Sequence, residues 1–140
     1  MLDFTINYFW VVILSVLAMG VGALWYSPVM FGNLVMKLSG MDAMPPEKIA
    51  QMKKKATKGY VVGFVGTLIM FAAFDMFLTS IQASSLLEGA IAGLVLVFGF
   101  IGVATLNHVL WGNDSPKLWL LNLAHYVVIL TVVGAVFAVV

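Results

Sequence analysis

The sequence predicts an all-α integral membrane protein, a bundle of four transmembrane helices, and three observations carry that prediction. Four long apolar stretches run through the chain, at about residues 5–26, 60–82, 87–110 and 117–138, each close to the ~20 residues that cross a ~30 Å hydrocarbon core. Hydrophobic residues make up 63% of the chain and charged residues 9%, and spans 1, 3 and 4 lack the polar face that a soluble helix keeps for water. Six of the seven lysines fall in one connection, between spans 1 and 2. The spans use most of the 140 residues, so residues 1–140 form a single membrane domain. Any chemistry has to sit between the helices or at their ends.

Span 1 lacks a basic start, follows Asp3 and exceeds the length of a secretory h-region, so it is expected to be a retained helix. It ends at "GALWYSP", where Pro28 turns Ser27 away from helical geometry. Residues 29–39 place Met30, Phe31, Leu34, Val35 and Leu38 around Lys37, a pattern suited to a short helix lying in the cytoplasmic interface. Ser39, Gly40 and Asp42 supply a turn, and Pro45 and Pro46 can open a new helix that runs into span 2. The stretch 29–58 is thus a basic cytoplasmic loop with a short helical segment. Within it, Lys53, Lys54, Lys55 and Lys58 are candidates for contact with lipid headgroups, about 1 kcal/mol each on an anionic surface. The plainer reading of the same run is an orientation signal on a solvated face.

Short basic loops remain on the cytoplasmic side. Both termini are therefore expected outside, the lysine-free connection 81–87 outside, and the connection 112–117, with Lys117, inside. No cysteine is present, which excludes disulfides, thiolate metal sites and a cysteine nucleophile. There is no arginine either, and so no bidentate clamp for phosphate or carboxylate. A net charge of +1 gives no reason to expect nucleic acid as a partner.

Small residues recur at a spacing of four: Ala18 and Gly22, Gly59 and Gly63, Gly89 and Gly93, Gly134 and Ala138. Such pairs let helices approach closely in lipid, within one chain or between chains. A short echo between "ALWYSP" (23–28) and "VLWGNDSP" (109–116) is compatible with an old two-helix duplication.

Polar groups are costly in lipid and mark candidate sites. Span 4 carries Trp119, Asn122, His125 and Tyr126 at spacings of three and four, on one side of a helix. Span 3 ends with Asn107, His108 and Trp111, and span 1 with Trp25, Tyr26 and Ser27. By helical rise, His125 lies about 12 Å and His108 about 5 Å from the cytoplasmic ends of their spans. These residues together describe a cytoplasm-facing pocket with aromatic walls. The alternative is an aromatic belt at Trp25, Tyr26, Trp111 and Trp119, with Asn122 and His125 holding helices together. Asp75 is the one acid well inside a span, nearer the outer face. It reads as a coupling carboxylate on a pathway, or as a side chain that snorkels to the outer interface or pairs with Thr79 and water. Two histidines also raise bis-imidazole haem ligation. No third ligand and no metal-binding spacing accompanies them, so neither cofactor nor metal is expected.

At "GALWYSP", "FG" (Phe31, Gly32), "GY" (Gly59, Tyr60) and "KLWLLNLAHY" (117–126), the chain resembles the domain-of-unknown-function family numbered 1761 over nearly its whole length. The resemblance implies a small four-span bacterial membrane protein, expected in the cytoplasmic (inner) membrane, and it brings no reaction or ligand. The residues matching the family pattern are Trp25, Tyr26, Ser27, Pro28, Gly32, Trp119, Asn122 and His125; Asp75 lies outside it. The leading expectation is a non-enzymatic membrane protein acting as a homo-oligomer or as an accessory subunit of a membrane complex. The alternatives are a small oligomeric transporter or channel using the polar pocket, and a membrane redox protein using the paired histidines.

Overall fold

The computed structural model describes all 140 residues and contains helices only. Helix α1 spans Tyr8–Trp25. Asn7 caps it, its side chain accepting from the amide of Trp10 at 3.4 Å. The helix stops just ahead of Pro28. The Ser27 hydroxyl donates to the Leu24 carbonyl at 2.6 Å, and the Ser27 carbonyl accepts from the amides of Met30 and Gly32 at 3.1 and 2.8 Å. A Cβ on Gly32 would run into the backbone of Tyr26 and Ser27, so this tight reversal needs glycine there. It leads into the short helix α2, Gly32–Leu38, as expected of the interfacial segment.

Gly40 adopts a left-handed φ of 74°, and a single 3-10 turn, Met41–Ala43, follows. Pro46 then opens α3, which runs without a break from Pro46 to Ser80. At 35 residues it is about 52 Å long, well beyond a hydrocarbon core. Residues 46–58, the second part of the basic connection, are its first turns, as expected of a helix opened at Pro45 and Pro46 and running into span 2. Their glutamate, lysine, glutamine, alanine and methionine content favours helix, and nothing between Pro46 and span 2 stops it.

Past Ser80 the chain reverses at Gln82, a non-glycine residue at φ 58°, with the Ala83 amide returning to the Leu78 carbonyl at 3.0 Å. Ser85 caps α4, Leu86–Leu96, and Glu88 reaches back to the Ser84 amide at 2.8 Å. That reciprocal arrangement satisfies donors at the helix start. The third span, Leu86–Leu110, is not a uniform α-helix. A π-helical segment, Val97–Gly102, joins α4 to α5, Val103–Leu110. The last span is α6, Pro116–Phe137, with Pro116 in its first turn. Four helices are therefore long and apolar enough to cross a membrane.

Two helix pairs make the bundle. The tighter is α4 with α6, where a Cβ on Gly89 would overlap the carbonyl of Gly134, and one on Gly93 the carbonyl of Leu130. Glycine lets these backbones touch, as expected of the small-residue spacing. The other pair is α1 with α3. The pairs join through a core of Val11 and Leu14 from α1, Phe71, Phe74 and Leu78 from α3, and Leu130, Val133 and Phe137 from α6. The Phe137 ring meets Phe71 and Phe74 edge-on, with centroids 6.3 and 6.4 Å apart. All buried residues of α3 lie between Phe71 and Leu78. The bundle is thus packed at the end that carries both termini and open at the end that carries the lysines.

Candidate functional site

The last turn of α1 brings Trp25 and Tyr26 to the lysine end of the bundle, facing Asn122, His125 and Tyr126 on α6. Tyr26 donates its hydroxyl to Asn122 Oδ1 at 2.7 Å. The His125 ring lies against Tyr26, Trp25 and Tyr126, with centroid separations of 5.5, 5.7 and 5.8 Å. Phe31, returned by the Ser27 reversal, packs on the other side of Trp25 at 4.7 Å. Gly22 completes the contact; a Cβ there would stand 3.5 Å from His125 Nε2. Five of the residues anticipated from sequence therefore form one cluster.

Two polar atoms in it are buried without a hydrogen-bond partner, His125 Nε2 and Trp25 Nε1. A buried donor or acceptor left unpaired costs about 1–3 kcal/mol. Next to the cluster, between α1, α3 and α6, is a cavity of about 440 Å³. Tyr26, His125 and Tyr126 line it, and α3 adds Tyr60, Thr67 and Phe71. Sequence reasoning passed over these α3 residues. Tyr60 and Thr67 share one side of span 2 at a spacing of seven, but Thr67 satisfies its own hydroxyl on the Gly63 carbonyl at 2.9 Å, so neither stood out as a polar group in need of a partner.

Other anticipated residues lie elsewhere. Asn107 and His108 are exposed on α5, and Trp111 is exposed beyond its end. Trp119 donates its indole N–H to Thr105 Oγ1 at 3.0 Å, a bond between spans 3 and 4 that makes Thr105 a partner the sequence reading missed. Ser27 directs its hydroxyl to the Leu24 carbonyl, which makes it a turn residue. Lys53, Lys54, Lys55 and Lys58 are exposed on the first turns of α3.

Asp75 belongs to the opposite end. Its side chain is buried, 5% exposed, and Oδ2 accepts from the backbone amide of Asn7 at 2.6 Å. A carboxylate is well placed there, at the positive start of α1. Nearby, the Ser80 hydroxyl accepts from the Asp3 amide at 2.8 Å. Hydrogen bonding from the side chain and amide of Thr5 holds the Asp3 carboxyl below the usual aspartate value. Asp75 pairs with this backbone rather than with Thr79, and its partner Asn7 is about 22 Å along α1 from Gly22. It does not share a site with His125.

A family profile matches residues 10–138, from the first turn of α1 to just past the end of α6. The chain belongs to DUF1761, described as proteins of unknown function. No curated protein and no solved structure matches it. Both halves of the aromatic cluster lie inside the part of this DUF1761 chain that defines the family.

Proposed function

We propose that this DUF1761 protein is a non-enzymatic protein of the bacterial cytoplasmic membrane that works as a homo-oligomer, its subunits meeting along the open face of α3. One observation carries the reading. Gly59, Gly63 and Gly66 form a line along α3 and meet no atom within 4 Å, while Tyr60, Val62 and Val65 beside them are exposed. Where the same chain uses glycine at this spacing, at Gly89 and Gly93, a second helix is seated on it. Lipid provides no hydrophobic drive for helix association, so close backbone approach at small residues is how such contacts form.

The chain lacks cysteine, which makes the test direct. Val62→Cys is expected to give a disulfide-linked dimer on oxidation in native membranes, whereas Val103→Cys and Val132→Cys, also on exposed faces, stay monomeric. Equal cross-linking at all three, or none at Val62, removes the reading. Cross-linking to a different protein instead makes the chain an accessory subunit.

A second reading, transport by the oligomer, is favoured by the cavity at His125. It expects solute flux in liposomes that falls in His125→Ala, and unchanged flux counts against it. The redox reading gains no support, because His108 is exposed on α5 and makes none of the ring contacts that hold His125.

A further inference from the structure

The lysine run has a fixed height and direction, because residues 46–58 are the first turns of α3 and continue into its span without a break. Helical rise and rotation therefore place each lysine. Residues 60–80 of α3 extend about 30 Å, the thickness of a hydrocarbon core, so Gly59 marks the edge of that core. Lys58 and Lys55 stand about 1.5 and 6 Å beyond Gly59 along the helix. Both fall within the headgroup layer, which is about 5–8 Å deep on each side of a bilayer. Lys48 stands about 16 Å beyond Gly59, outside that layer.

Direction separates the lysines further. Lys55 and Lys58 are exposed and, at spacings of three and four, share a side of α3 with Gly59, Val62 and Gly63. Lys53, two residues before Lys55, points to the opposite side. No acid offsets this charge along the helix. Glu47 is the one acid of α3 ahead of Asp75, and the residues three and four beyond it are Ala50 and Gln51, so no lysine meets a carboxylate at pairing distance on that helix.

Subunits that meet along Gly59, Gly63 and Gly66 bring these lysines together. A two-fold contact sets the same face of each copy against the other, with helix axes about 8–10 Å apart or closer. Lys55 and Lys58 of both copies then crowd the rim of the contact within about one Debye length, ~10 Å, of one another. Their repulsion opposes the approach that the glycines permit. A phosphate at the same depth removes it, since lysine binds phosphate as a point charge. A zwitterionic headgroup brings its own ammonium along with the phosphate and leaves the excess positive charge in place. An anionic headgroup cancels it.

We propose, resting on the subunit contact proposed above, that an anionic phospholipid completes that contact, its phosphate held between Lys55 and Lys58 of the two copies. The subunits associate in membranes that contain anionic lipid and separate in membranes that lack it. Each copy supplies half of the lysines, so the site is whole only in the pair.

The experiment measures energy transfer between donor- and acceptor-labelled Ser84→Cys copies of the full chain, dilute in proteoliposomes. The chain has no cysteine of its own, and Ser84 lies in the connection between α3 and α4, at the end opposite the lysines. Association is expected to be about tenfold stronger in phosphatidylcholine containing phosphatidylglycerol than in phosphatidylcholine alone. Lys55→Gln with Lys58→Gln removes both the repulsion and the lipid site, and should associate equally in the two membranes. Lys48→Gln with Lys53→Gln lowers the charge by the same amount and should keep the difference. Equal association of the parent chain in both membranes overturns the proposal, as does a lipid effect that is the same in the two double variants. Millimolar inorganic phosphate that restores association in phosphatidylcholine would make the occupant a soluble anion, and overturns it too. Absence of transfer in every membrane, native lipid extract included, removes the subunit contact itself, an outcome distinct from equal transfer in both.

Discussion

Tyr26 and Asn122 stand 96 residues apart in the chain and share a hydrogen bond of 2.7 Å. It is the side-chain bond that ties the end of α1 to α6. Bonds of this type between membrane helices contribute about 0.6 kcal/mol on average and up to ~1.7. Tyr26→Phe is therefore expected to destabilise the protein by roughly 1 kcal/mol, and a double-mutant cycle with Asn122→Leu should return a coupling of similar size. Reversible unfolding in mixed micelles measures both. Asp75 makes a different kind of contact, with the Asn7 amide, which requires an acceptor oxygen at that point. Asp75→Asn retains an acceptor oxygen and should keep residues 1–7 in place. Asp75→Leu leaves the Asn7 amide unpaired, and hydrogen exchange there should accelerate by an order of magnitude or more, in line with the cost of a lost hydrogen bond to a charged group. Similar exchange in the two variants would show that this bond does not hold the N-terminal segment.

At the scale of elements, the connection between α3 and α4 carries a local cost. Gln82 adopts a φ of 58°, where a side chain crowds its own backbone and glycine does not. The reversal closes with the Ala83 amide on the Leu78 carbonyl, a helix ending for which glycine is the preferred residue. Gln82→Gly is expected to stabilise the fold by about 1 kcal/mol, read as a raised unfolding midpoint; a lowered midpoint would mean that the Gln82 side chain makes up for its backbone. The third span shows what element prediction misses. Its length and hydropathy are those of a simple membrane helix, yet Val97–Gly102 is π-helical. A π turn changes which face the following residues present. Asn107 and His108 lie beyond that segment and are exposed.

The whole molecule is a bundle closed at one end and open at the other. Phe71, Phe74, Leu78 and Phe137 close the end near the termini; at the other end α3 buries nothing between Pro46 and Met70. The cavity and the free glycine line both follow from that divergence. Orientation is a property of the same scale, since it depends on lysines summed over a loop rather than on any one of them. Labelling in intact cells with a membrane-impermeant maleimide is expected to modify Ser84→Cys and to spare Lys55→Cys. The reverse pattern would invert the topology.

Much of this architecture is legible along the chain. Apolar stretches of about twenty residues announce four helices long and apolar enough to cross a membrane, because crossing lipid imposes a length and a composition whatever the neighbours are, although the second helix begins at Pro46, well ahead of its apolar stretch. The α6 half of the candidate site is legible as well, since Asn122 and His125 share a face by helical spacing alone. Other features required the packed chain. Tyr60, Thr67 and Phe71 share a side of α3 by helical spacing, but which neighbours that side faces is set by packing, so nothing pointed to them as cavity walls. The partner of Asp75 is a backbone amide, which every residue but proline possesses, so residue type could not reveal it. Depth follows from counting residues along a helix; the direction in which a side chain points around that helix is decided by the neighbours against which it packs. In this protein the neighbours gather Trp25, Tyr26, Asn122, His125 and Tyr126 and leave Asn107, His108 and Asp75 apart.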